Sequence, residues 1–130
     1  MTKLTIGILA HNEANVISTL LQDVSRQSVL QPDVEGMAVQ ICVVPNGCSD
    51  GTAETSRRVL SDLNLPEHVS WQVVEVEQPS KTNAWNVFVH DIAPDDADYL
   101  LLLDADISLP QTDIIERSMA TLEAHPAAWI

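Results

Sequence analysis

Apolar residues along this chain switch repeatedly between strand-like runs and helix-like stripes. Leu4 to Ala10 is a short run with β-branched residues and reads as a strand. Val16, Ile17, Leu20, Leu21 and Val24 then recur on one helical face, with Asn12 as a candidate N-cap. Residues 30–38 carry Pro32 and Gly36 and read as a loop, after which Val39 to Val44 form a second strand. The turn-rich segment Pro45-Asn46-Gly47-Cys48-Ser49-Asp50-Gly51-Thr52 offers Ser49 or Asp50 as cap for a helix whose narrow face is Val59, Leu60 and Leu63, closed by Pro66. Val69 to Val76 alternate loosely as a third strand. Ser80 can cap a helix with Ala84, Trp85, Phe88 and Ile92 on one face, and Pro94 to Asp98 is an acidic turn.

Tyr99-Leu100-Leu101-Leu102-Leu103 follows, a run too short for a usual helix core. It predicts a central parallel strand buried on both faces. Asp104 and Asp106 stand where that strand ends, which in an open α/β sheet is the edge where ligands bind. Pro110 suits the first turn of a last helix burying Ile114, Ile115, Met119 and Leu122. The β-α-β-α-β-α-β-α order predicts one α/β domain over residues 1–130, a mostly parallel sheet with helices on both faces. Ala127-Ala128-Trp129-Ile130 reads as the start of another strand, so the functional unit is expected to continue past Ile130.

Composition narrows the function classes. A chain of 130 residues with 45% hydrophobic residues has a core to build, and at this size roughly 68% of the unfolded surface is buried. Six basic against 19 acidic residues give a net charge of −13, which disfavours nucleic acid and anionic lipid at long range. A small anion is still compatible, because screening over roughly 8 Å lets a local cation or helix N-terminus dominate. Cys42 and Cys48 have neither redox nor zinc spacing and read as reduced thiols, Cys42 in a strand and Cys48 in a loop. No secretory signal or membrane-spanning run is apparent in this stretch, which makes the cytoplasm the expected location, with membrane association left to regions not present here.

Asp104 and Asp106, two apart, can point the same way in extended chain. Two carboxylates with water and phosphate oxygens make a hard-cation site for Mg²⁺ or Mn²⁺; a solvated turn is the plainer reading. Asp50 either caps a helix or reaches a ligand, and Asn46 either forms an Asn-Gly turn or meets a base edge with its amide. Lys81 sits at a helix start, where the dipole opposes a cation unless an anion is near. A diphosphate there would reverse that balance, since opposite charges about 4 Å apart attract by roughly 4 kcal/mol at an effective dielectric of 20; an exposed lysine without a role is the alternative. His11 is placed to stack on a base or act as an acid. His68, His90 and His125 are scattered, and no serine elbow, P-loop or Gly-x-Gly-x-x-Gly fingerprint occurs.

Taken together, the segments Ile6 to Glu13, Asn46-Gly47-Cys48-Ser49-Asp50-Gly51-Thr52, Lys81-Thr82-Asn83-Ala84-Trp85-Asn86 and Asp104-Ala105-Asp106 resemble the start of a glycosyltransferase family 2 enzyme with the GT-A (Rossmann-like) fold. The resemblance implies transfer of a sugar from a nucleoside-diphosphate sugar to an acceptor hydroxyl, usually with inversion. It places His11, Asn12, Glu13, Asn46 and Asp50 about the nucleoside and Lys81 near the diphosphate. Asp104 would meet the ribose and, with Asp106, the divalent metal of the DxD motif. The chain departs from the family where His11 replaces a common aromatic and Pro45-Asn46 an aspartate pair. The family's general base and acceptor elements lie beyond the DxD motif, hence past Ile130, so this stretch is expected to hold the donor site and to be inactive by itself.

Two other α/β classes fit these segments less well. A nucleotidyltransferase would want a Gly-rich basic loop after the first strand, where Leu9-Ala10-His11-Asn12-Glu13 has no glycine; a receiver domain would want paired acids there. The non-enzyme alternative is a nucleotide-binding or assembly module, with self-association through an exposed sheet edge.

Overall fold

Four strands form one sheet in the computed structural model, which describes residues 1–124. They are β1 (Thr2–Ala10), β2 (Met37–Pro45), β3 (Val69–Val73) and β4 (Tyr99–Asp104), in the spatial order β3-β2-β1-β4, and each pairing is parallel. The helices α1 (Ile17–Ser25), α2 (Thr52–Asp62), α3 (Lys81–Val87) and α4 (Ile114–Ala124) alternate with them. Each helix returns the chain to the same end of the sheet, which is why the strands run parallel.

Alternation along the strands sorts the core onto two faces. Leu4, Ile6 and Ile8 of β1 with Val39, Ile41 and Val43 of β2 pack against Ile17, Leu20 and Val24 of α1, Leu60 of α2 and Ile115 of α4. Leu9, Cys42 and Val44 face the other way, onto Ala84 of α3 and Phe88. Helices therefore cover both faces, as the apolar pattern predicts. Phe88 begins a π-helical turn (Phe88–Ile92) closed by the Ala93 N–H on the Phe88 carbonyl at 2.8 Å, and the outer end of its ring lies close against Gly7. No helix among the described residues is long and apolar enough to cross a membrane.

The expected central position of Leu100 to Leu103 is not observed. Among the described residues β4 pairs only with β1, and β1 and β2 are the strands with neighbours on both sides. Leu101 and Leu103 pack on the first face and Leu102 on the second, whereas Leu100 is 41% exposed. A continuous apolar run reports contacts on two faces; it carries no information about hydrogen-bonded neighbours.

Several boundaries also shift. Asn12 does not cap α1, which starts at Ile17 without a side-chain cap; it sits at φ 50, a conformation asparagine tolerates, and Val16 is 39% exposed. Ser28–Leu30 forms a 3₁₀ turn leading into the expected loop, and β3 ends at Val73, although Val76 still bridges to Asn46. Ser80 caps α3 as expected, accepting the Asn83 N–H at 3.2 Å, yet Trp85 is 44% exposed. Pro110 precedes α4, which begins at Ile114, and the strand expected at 127–130 lies outside the described residues. Both cysteines are free, Cys42 in β2 and Cys48 in the loop after it.

At the start of α2, Asp50 Oδ1 accepts the Thr52 N–H at 3.1 Å and the Thr52 hydroxyl, while Oδ2 accepts the Ala14 N–H at 3.1 Å. Neither Ser49 nor Asp50 is the cap of α2, which is Gly51 at φ 83 without a side-chain cap; the Asp50 carboxylate, one residue earlier, ties the first residue of α2 to the loop leading into α1. The Thr52 hydroxyl, then the Ala14 and Thr52 amides, hold the Asp50 carboxyl below its ordinary 3.8.

Two predictions follow from this packing. A Cβ at Gly7 would lie 2.6 Å from Phe88 Cζ, so Gly7→Ala is expected to destabilise by about 1–3 kcal/mol in urea unfolding; in a Phe88→Ala background most of that penalty should vanish, giving a large coupling in the double-mutant cycle. For Asp50, a carboxyl with a lowered folded-state pKa contributes stability above its unfolded value, lost as pH falls through the folded value. Asp50→Asn should be less stable than the wild type near neutrality, and the gap should close as pH drops below about 4. A gap that stays constant between pH 7 and pH 2.5 would show that the charge contributes nothing.

Candidate functional site

β1, β2 and β4 all end at the same edge of the sheet, and the residues that follow them meet there with the first turn of α3. A cleft of about 160 Å³ is lined by His11, Glu13, Asn46, Lys81, Asp104 and Asp106 over the backbone of Leu9, Ala10 and Ala105. Six of the eight residues singled out in the sequence are brought together. Asn12 and Asp50 are outside the lining and act on the loops instead.

The cleft floor is built from backbone groups. Asn46 is buried; its N–H and its Nδ2 both donate to the Ala10 carbonyl, at 2.7 and 2.8 Å. One of the two Nδ2 hydrogens is therefore committed to the end of β1, which leaves Oδ1 and the second N–H with capacity for a ligand. Asn46 also fixes His11, whose Nδ1 lies 2.7 Å from the Asn46 carbonyl. A carbonyl only accepts, so Nδ1 carries hydrogen, and in that tautomer Nε2 is an acceptor.

The wall is two loops laced together. Asn12 Oδ1 accepts the Ser49 N–H at 2.8 Å, the Asn12 N–H points at Cys48 Sγ at 3.3 Å, and the Glu13 N–H donates to Thr52 Oγ1 at 3.1 Å. With the Asp50 contacts, this fixes where His11 and Glu13 leave β1. Thr52 and Cys48 escaped the sequence reading as positioning groups. Their only sequence signal is that each lies within the turn-rich segment after β2.

Opposite stands a charge triad. Lys81 Nζ lies 2.8 Å from Asp104 Oδ1. The Asp104 carboxylate raises the Lys81 pKa first by hydrogen bonding and then by its charge, with a further contribution from Asp106. The pair is half to two-thirds exposed, so it contributes little to stability. Its significance is electrostatic: two carboxylates and one ammonium leave the triad one negative charge, to which a divalent cation is attracted.

Among the described residues no three His, Cys, Asp or Glu side chains gather as a metal cage. Two carboxylates alone fit the hard-cation mode in which Mg²⁺ or Mn²⁺ takes its remaining ligands from water and substrate phosphates. Around the same β2 loop, Pro45, Gly47, Cys48, Val76 and Pro79 line a further cleft of about 310 Å³. A larger depression of about 500 Å³ at the opposite end of the strands is lined by Glu67, by His68, whose ring is bonded to the Val29 carbonyl, and by Lys3 and Asp96, already paired with each other.

No protein-family model and no curated relative matches the chain. Solved structures do. The mannosyltransferase PcManGT from Pyrobaculum calidifontis, in complex with GDP-Man and Mn²⁺, has a TM-score of 0.75 at 22% identity over 92% of this chain and 32% of its own. S. aureus TarS has a TM-score of 0.69 at 19% identity over 96% of this chain and 20% of its own. TarS 1-349 in complex with UDP-GlcNAc matches equally well, covering 96% of this chain and 32% of its own. The chain thus spans between a fifth and a third of the length of these structures. The likeness is one of fold: the chain has the α/β arrangement of GT-A glycosyltransferases, a parallel sheet with helices on both faces.

Proposed function

We propose that the cleft at the carboxyl ends of β1, β2 and β4 is the donor site of a glycosyltransferase, binding a nucleoside-diphosphate sugar with Mg²⁺ or Mn²⁺ at Asp104-Ala105-Asp106. The observation that carries this is the Asp104, Asp106 and Lys81 triad, assembled at the ligand-binding edge from residues 23 and 25 positions apart in sequence. Similar folds solved with GDP-Man and Mn²⁺ and with UDP-GlcNAc support the ligand class.

Asn46 Oδ1 and His11 Nε2 offer acceptors on the nucleoside side, with Glu13, Asn12 and Asp50 shaping the loops that carry them. Lys81 leaves Asp104 for the diphosphate, freeing Asp104 for the ribose and, with Asp106, the cation. A bound divalent cation supplies Lewis-acid stabilisation of the departing diphosphate. Lys81 adds a fixed positive charge beside it, which matters most in the transition state, when negative charge grows on the leaving group. Attack by an acceptor hydroxyl on the anomeric carbon needs a base to take its proton. The cleft's carboxylates are Glu13, Asp104 and Asp106, and with Glu13 assigned to the nucleoside side and the other two to the ribose and the cation, binding without appreciable transfer is the expected behaviour of the 130 residues.

Calorimetric titration with UDP and GDP, with and without Mn²⁺, tests this reading. Binding should strengthen with Mn²⁺, and Asp106→Ala should remove that gain, lowering metal-dependent affinity by about tenfold or more. Lys81→Ala should weaken nucleotide binding by about tenfold. A chain that binds neither nucleotide with Mn²⁺ present overturns the donor-site assignment, and brisk sugar transfer by the chain alone overturns its separation from catalysis.

A further inference from the structure

α1 and the turn after it carry two polar side chains that are buried although they belong to no apolar stripe: Asp23, 9% exposed, and Gln27, fully buried. Burying such groups is unfavourable unless they are hydrogen-bonded. Both find partners in one distant stretch of backbone. Asp23 Oδ2 accepts the Leu109 N–H at 3.0 Å while Oδ1 accepts Arg26 Nη1 at 3.0 Å. Gln27 Oε1 accepts the Ile115 N–H at 3.1 Å and Nε2 donates to the Gln111 carbonyl at 2.6 Å. The Ser28 N–H adds a bond to the Thr112 carbonyl at 2.6 Å.

The stretch so held is the continuation of the metal-site loop. On its near side Ala105 is fixed by a buried methyl and by its N–H on the Leu9 carbonyl at 3.2 Å. The next buried residue is Leu109, whose N–H is the one Asp23 accepts. Asp106, Ile107 and Ser108 form an exposed bridge between these two anchors. A short bridge pinned at both ends has few conformations, so the direction of the Asp106 carboxylate is set largely by where Leu109 is held. Packing alone gives no reason for a carboxylate here, since replacing buried ionic groups by apolar ones is often neutral or stabilising.

We propose that Asp23 and Gln27 are positioning residues that hold the Asp106 carboxylate in place for the divalent cation, acting through the 109–115 backbone without touching the ligand. The proposal rests on the donor-site reading above. The test compares wild type, Asp23→Ala and Asp23→Asn by calorimetry with UDP and GDP, with and without Mn²⁺, alongside hydrogen exchange of residues 106–109 without ligand.

Asp23→Ala should lose about tenfold in the Mn²⁺-dependent affinity, the size typical of groups that orient a metal ligand, while nucleotide binding without metal is unchanged and exchange at 106–109 rises. Asp23→Asn, which keeps an oxygen acceptor for the Leu109 N–H, should recover most of the loss. Should Asp23→Ala not fold, Gln27→Met, unbranched and of similar length, decides by the same measurements. Equal losses with and without metal, or no loss in a folded variant, overturn the proposal while leaving the donor site standing. A wild type that binds no nucleotide with Mn²⁺ overturns the donor site and this proposal together, whatever the variants do.

Discussion

The carboxyl edge of this sheet depends on one carbonyl oxygen. Ala10 is the last residue of β1, and its oxygen accepts both the backbone and the side-chain N–H of Asn46. A carbonyl has two lone pairs, so this one is fully used. The consequence is geometric: the ends of the two central strands are locked level, and the residues that leave them, His11 on one side and Gly47 on the other, diverge from a fixed point. Every loop contact that shapes the cleft follows from this junction. Asn12 to Ser49, Glu13 to Thr52 and Ala14 to Asp50 each join a residue a few positions past β1 to one a few positions past β2.

Against that rigid wall the opposite side of the cleft is electrostatic. Five of the six basic residues engage carboxylates, and Lys81 is the one that does so inside the cleft. An overall charge of −13 repels a nucleotide at long range. Under the donor-site proposal the attraction is then local: Asn46 and His11 line the cleft together with the Lys81 ammonium and the Asp104 and Asp106 carboxylates.

Much of this was legible from residue order alone, for identifiable reasons. Leu4 to Ala10 and Val39 to Val44 are strands because apolar alternation reflects two packed faces, and Ser80 caps α3 because capping is decided within four residues. Features set by distant partners were not legible. Asn12 reads locally as a cap, yet its conformation is fixed by Ser49, 37 positions away. Trp85 falls on the same helical spacing as Phe88, but one face of a short helix is too narrow to bury both. Asp23 and Gln27 lie off the apolar stripe of α1, and only the fold brings residues 109–115 against them. The residues that line the cleft were legible because several motifs fell at strand ends in order, and strand ends are where a parallel sheet gathers its loops.

The contact of Phe88 with Gly7 has an evolutionary consequence. The ring leaves no room for any side chain at position 7, while the aromatic itself fills the core beneath α3 and thereby fixes the element that carries Lys81. Sequence drift at either position is then constrained by the other. Relatives of this chain should keep glycine with an aromatic or exchange the two in concert, a larger residue at 7 appearing with a smaller one at 88. Such paired exchange between a mid-strand glycine and a residue 81 positions later would be a signature of this layer of the sheet, readable in sequences alone.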